Sequence, residues 1–138
     1  MKSVRTDDVG KLVLRVSLGG LMLFHGVSKL RHGIGGIARS VHAKGLPHFF
    51  AYGVYLGEVV APLLIIVGIG TRPASAVLAF NMLVAIWLAH ARDVFHLSRS
   101  GGWAIELAML YLLGALSVAW LGSGRYALSR GRGPLDGA

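Results

Sequence analysis

The sequence predicts an all-α fold, a four-helix bundle integral to a membrane, with a short interfacial helix in the first loop. Three observations carry that prediction. Four long apolar stretches run over about residues 12–30, 52–70, 73–91 and 102–121. Each approaches the roughly 20 residues that a helix needs to cross about 30 Å of hydrocarbon. Of the charged residues, only Arg15, Lys29, Glu58 and Glu106 lie inside these stretches, and the rest fall in tails and loops. The runs VVAPLLIIV (59–67) and VLAFNMLVAIWL (77–88) are apolar nearly all round, without the polar stripe that a soluble bundle presents to water.

Composition agrees. The chain is 54% hydrophobic and 14% charged, whereas an ordinary soluble domain has about 45 to 50% and about 25%. Without cysteine there is no disulfide framework, thiolate nucleophile, Cys-type zinc site or CxxC redox pair. In a soluble protein a net charge of +8 would point to nucleic acid. Here the basic residues flank apolar spans, so they read as membrane-surface charge and no nucleic-acid partner is expected.

The first span follows Lys2, Arg5 and Lys11, a basic start like that of a signal peptide, but no small-residue cleavage site follows and an uncleaved helix is expected. In the first loop Ile34, Ile37, Ala38 and Val41 recur at helical spacing opposite Arg39 and Lys44. This predicts a short helix lying in the interface or capping the bundle, ended by Gly45-Leu46-Pro47. Glycines within the spans suit close helix approach in lipid. Gly33-Ile34-Gly35-Gly36 follows no strand, so it is not read as a phosphate cradle. Gly68-Ile69-Gly70-Thr71-Arg72 makes a tight connection between the second and third spans, with Arg72 as an interfacial anchor. Pro62 has no N–H for the carbonyl of Glu58, which is expected to be free and its turn kinked.

Four spans put both termini on one side. That side carries Lys2, Arg5, Lys11, Arg72, Arg125, Arg130 and Arg132, against Lys29, Arg31, Arg39, Lys44, Arg92 and Arg99 on the other. Arg15, expected to snorkel toward the termini, adds to the first group and orients both termini to the cytoplasm.

Following the chain through the membrane brings polar residues together. His25 and Lys29 lie near the loop side of the first span, Glu58 near the start of the second, His90 at the end of the third, and Glu106 near the start of the fourth. At 1.5 Å per residue, Glu58, Glu106 and His25 sit roughly 9, 6 and 8 Å below that side, in one layer. Ionisable groups at such depth cost on the order of 2 to 3 kcal/mol unpaired, so they should face inward and pair, with Lys29 beside one carboxylate. The expected result is a polar ligand pocket of His25, Lys29, Glu58, His90 and Glu106, suited to hydrogen-bonding quinone carbonyls and moving protons. The competing reading is that buried Lys and Glu only tie helices together.

Asn81, mid-membrane, should bond to a neighbouring helix. Nine residues from His90, or about 900° of helical turn, it lies on nearly the opposite face and is left out of the pocket. All six histidines map to the loop side, yet none forms an i,i+4 pair, and no metal site is expected. No catalytic nucleophile or hydrolytic set emerges.

These residues also carry a family pattern. GGLMLFHGVSKL (19–30), Gly45-Leu46-Pro47, Glu58 with Pro62, GIGTR (68–72), Met82 with Ala85, Glu106, and Gly122-Ser123-Gly124-Arg125-Tyr126 together resemble the DoxX family of small bacterial four-helix membrane proteins. The resemblance runs from about residue 10 to 130, and residues 1–138 are read as one DoxX-like transmembrane domain. Where the family commonly closes with Gly-x-Gly-x-Tyr-Ser-Leu-Asp, this chain has GSGRYALSR (122–130), without the terminal Asp. The resemblance implies association with quinone-linked respiratory modules, including small subunits of thiosulfate:quinone oxidoreductase, or with membrane complexes that handle thiol and oxidative stress. Its shared polar residues are His25, Lys29, Glu58, Arg72 and Glu106.

The expected function is therefore a quinone-linked redox subunit or accessory of the bacterial inner membrane, binding quinone non-covalently. A membrane or soluble redox partner brings the electron carrier, and an oligomer is compatible with the spans. The alternative is a non-catalytic scaffold or assembly partner of a redox or stress-response complex. A transporter is disfavoured, because four spans are few and no inverted repeat is present.

Overall fold

The computed structural model describes residues 2–130 and 132–137, with side chains from Thr6 onward; Lys2 and Arg5, counted above among the terminal charges, lie outside the described side chains. The described chain is helical, with α1 Lys2–His32, α2 Gly35–Ala43, α3 His48–Val67, α4 Thr71–Ala89 and α5 Glu106–Leu121. No strand occurs among the described residues beyond an isolated bridge between Leu97 and Trp103.

The four long helices form the expected bundle. α1 from Thr6, α3 and α4 are each long and apolar enough to cross a membrane, and α5, with 16 residues, is shorter. The fourth span was expected to begin at residue 102, but its helix begins at Glu106. Gly101 at φ +87° turns the chain, Ser98 N–H donates to the Gly102 carbonyl at 2.7 Å, and Trp103 Nε1–H donates to Val94 O at 2.6 Å. This turn holds residues 102–105 in an irregular path.

Between the helices, Leu18, Met22, Ile65, Leu78, Met82, Leu112, Ala115 and Val118 form one buried cluster. Large apolar side chains such as Phe24, Leu63, Phe80, Leu110 and Trp120 face outward, as a lipid-facing surface requires. α2 buries Ala38 and Val41 against Ala51 at the start of α3 and Leu88 at the end of α4, so the amphipathic segment of the first loop caps the bundle.

The other end carries the termini. The Asp8 carboxylate accepts from Arg125 N–H at 3.1 Å. The Asp136 carboxylate accepts the Thr71 N–H at 2.8 Å, capping α4, and its carbonyl accepts from Ser123 N–H at 2.7 Å. The acidic residue missing from 122–130 is thus followed by one at Asp136 that closes this end. Asp136→Ala is expected to lower stability by about 1 kcal/mol, as loss of an N-cap does, with Asn recovering part of it; thermal unfolding in mild detergent measures both.

One anchor expectation changes here. Arg15 does not snorkel: it is 1% exposed and donates to the carbonyls of Ile65, Ile66 and Tyr126. The last carbonyls of a helix have no intrahelical donors, and α3 ends at Gly68 in the left-handed conformation (φ +78°), so a buried guanidinium supplies what the helix end lacks. Arg72 stays part-exposed at this end, its backbone N–H donating to Leu135 O at 3.0 Å and its Nη2 to Trp120 O at 3.5 Å.

Candidate functional site

The site begins with an irregularity in α3. After a 3₁₀ opening (His48–Tyr52) and one α turn (Gly53–Tyr55), residues Leu56–Val60 wind as a π turn before the α-helix resumes at Ala61–Val67. Pro62 explains the place, because it cannot donate back to Glu58 O and the ladder must adjust there. The freed carbonyl is not open to a ligand. A Cβ built on Gly26 would lie 2.1 Å from Glu58 O, so α1 packs its glycine directly on that carbonyl.

The π turn leaves Glu58 only 4% exposed, inside the bundle. Its Oε2 pairs with Lys29 Nζ on α1, and its Oε1 accepts from Asn81 Nδ2 on α4 at 3.4 Å. One carboxylate therefore ties three helices together. Asn81, left out on helical phase, does bond to a neighbouring helix, and that partner is Glu58. Gly57 makes this reach feasible, since a Cβ there would lie 2.4 Å from Asn81 Cβ.

Beside the pair is a cleft of about 310 Å³. His25 and Lys29 from α1, Glu58 from α3, His90 at the end of α4 and Tyr111 from α5 supply its polar groups; Met22, Met82, Ala85 and Ala108 are among its apolar lining. His25 meets the Tyr111 ring edge-on, with centroids 5.7 Å apart at 86°. His90 stands at the water side, with Nδ1 3.4 Å from Asp93 Oδ2.

The structure thus brings four of the five expected pocket residues to one cleft and leaves Glu106 out. Glu106 is exposed in the first turn of α5, its carboxylate so close to Gly102 that a Cβ there would lie 2.6 Å from Oε2. Because the helix starts four residues late, Glu106 is no longer one turn deep, and a carboxylate at a helix N-terminus is favoured by the macrodipole. Tyr111, buried and on the cleft wall, was not singled out from the sequence. The available signal was its position: a tyrosine in the middle of a span, away from the ends where belt tyrosines collect.

Residues 10–91 match the DoxX family, which is well over half of the chain. The chain belongs to the DoxX family. The matched stretch holds the Lys29–Glu58 pair, Asn81, His25 and His90 of this DoxX protein. Among relatives, it is 32% identical over 82 residues to a Bacillus subtilis (strain 168) protein named "Putative oxidoreductase CatD", covering 59% of this chain and 60% of that one. It is 30% identical over 118 residues to an uncharacterized protein of Haemophilus influenzae, covering 83% and 84%. The match thus spans less than two thirds of the first relative and most of the second. No solved structure matches.

Proposed function

We propose that this DoxX membrane protein is a quinone-linked redox subunit or accessory of the bacterial inner membrane, with the cleft as its quinone site. The observation that carries the reading is the Lys29–Glu58 pair in the wall of a cleft whose other polar groups are His25, His90 and Tyr111 and whose remaining lining is apolar. Such a lining suits a ring compound with polar substituents, with few and fixed polar groups to orient it. The volume of about 310 Å³ is at the small end of the usual range for ligand sites, as a single-ring headgroup requires.

Lys29, His25 and Tyr111 carry N–H or O–H donors for a quinone oxygen, while Glu58 and Asn81 hold the Lys29 side of the cleft in place. His90 with Asp93 stands where protons come from water. A bound quinone supplies the redox chemistry: it takes up two electrons and two protons to become the quinol. The electrons come from a partner redox protein, membrane-bound or soluble, because this chain offers no cysteine or recognisable cofactor motif for them. The word oxidoreductase in the Bacillus relative's name supports this setting.

Purification in mild detergent and extraction of bound lipids should recover quinone with the natural chain and lose it in the Lys29→Met/Glu58→Gln double variant, which lacks the Lys29 donor without stranding the Glu58 carboxylate. Quinone retained in that folded variant would overturn the pocket. If instead loop substitutions release a partner while the variant stays functional, the protein is a scaffold. Both termini are placed in the cytoplasm on the basic-residue count. A reporter fused after Ala138 is expected to signal from the cytoplasm, and a signal from outside would reverse the orientation.

A further inference from the structure

The cleft has two rims of different chemistry. On the loop side stand His90 and Lys29, both part-exposed and charged or chargeable. On the flank between α1 and α5 stand His25, which is exposed, and Leu107, 56% exposed, both lining the cleft and both on outward faces of spans. Neighbours on those faces, Phe24 and Leu110, are 77% and 66% exposed, so this flank looks into the acyl chains.

α1 and α5 close tightly farther from the loop side, where a Cβ on Gly114 would lie 2.9 Å from Leu18 Cδ1. Toward the loop side they meet at the edge-on rings of His25 and Tyr111. There α5 has only just begun, and the irregular residues Ala104 and Ile105 line the cleft instead of a further helical turn. Non-helical backbone at membrane depth is tolerated where it borders protein or a cavity.

His25 lies seven residues before the end of α1, about 10 Å along the helix axis. It makes no hydrogen bond among the described residues, and its ring contact is Tyr111. An imidazole facing hydrocarbon without a polar partner is unfavourable, and a molecule arriving from the lipid with a carbonyl or hydroxyl would supply one.

We propose that the cleft is filled sideways from the bilayer: a lipid-soluble ligand bearing a carbonyl or hydroxyl passes between α1 and α5, with His25 and Tyr111 as the gate and His25 as its first polar contact. This rests on the cleft being a ligand site, and it adds the route and the partition class of the ligand.

The chain has no cysteine, so single-cysteine spin labels can test the flank without the ligand. A nitroxide at Leu107→Cys in proteoliposomes should collide with oxygen more readily than with a water-soluble nickel chelate, as at the lipid-facing control Phe80→Cys and unlike the loop control Phe95→Cys. A chelate-dominated label at 107 would overturn the route. The second arm keeps Trp103 as the sole tryptophan (Trp87→Phe, Trp120→Phe) and follows its quenching by two quinones. Decyl-benzoquinone should quench saturably in proportion to its mole fraction in the lipid, and a sulfonated benzoquinone confined to water should not. Equal quenching by the sulfonated compound would overturn the route while leaving the quinone reading standing. Quenching by neither would remove the quinone reading, and the collision measurement would then decide the route alone.

Discussion

Gly26→Ala is expected to abolish, or nearly abolish, accumulation of the folded protein. The added methyl would sit 2.1 Å from the Glu58 carbonyl oxygen and 2.8 Å from its carbon, and the obstacle is backbone, which cannot rotate away. Relief requires moving α1 off α3 at the π turn, where the Lys29–Glu58 pair also joins the two helices. Overpacking of this kind reaches about 3 kcal/mol or more, a large part of the usual 5 to 15 kcal/mol of total stability. Better helix propensity returns about 1 kcal/mol at most. Gly20→Ala is the control: nothing lies within 4 Å of the added carbon, so the variant should unfold at the natural temperature or slightly above it. Fluorescence-detected size exclusion and thermal unfolding in detergent compare the two, and matched melting curves would refute the close approach of α1 to α3.

That contact shows where sequence reading succeeds and where it stops. The spans were legible because burial in lipid needs only apolar length, which the chain displays openly. The interfacial helix was legible because Ile34, Ile37, Ala38 and Val41 keep helical spacing, and they do pack inward. The meeting of His25, Lys29, Glu58 and His90 followed from counting depth along alternating spans. Counting depth misplaced Glu106, because an apolar run does not reveal that Gly101 and Trp103 hold the chain in a turn until residue 106. Helical phase kept Asn81 out of the cleft, and it is not among the lining residues, but phase could not say that its partner on the neighbouring helix is Glu58. Glu58 reaches Asn81 across the gap that Gly57 leaves. Arg15 was read as a surface anchor because nothing in the sequence says that the end of α3 and the chain from Tyr126 converge on it.

The Lys29–Glu58 pair gives the other large expected effect, and it should be asymmetric. The Lys29 side chain is 25% exposed and three residues from the end of α1, so without its partner it can extend toward the interface and remain hydrated. The Glu58 side chain is 6% exposed, short, and held on the π turn with Asn81. Lys29→Met therefore strands a buried carboxylate and should cost about 3 kcal/mol, within the range for a broken buried pair. Glu58→Gln keeps its one oxygen for Lys29 and turns an NH2 toward Asn81, whose amide can flip to accept it, and should cost about 1 kcal/mol. Combining the two removes the stranded charge, so the double variant should be more stable than Lys29→Met alone and the coupling between the sites should exceed about 1 kcal/mol. Unfolding of all four proteins in one detergent, at one pH and salt concentration, measures the cycle. Additive losses would mean that the two groups do not sense each other, and the polar side of the cleft would then lack the fixed geometry on which ligand binding depends.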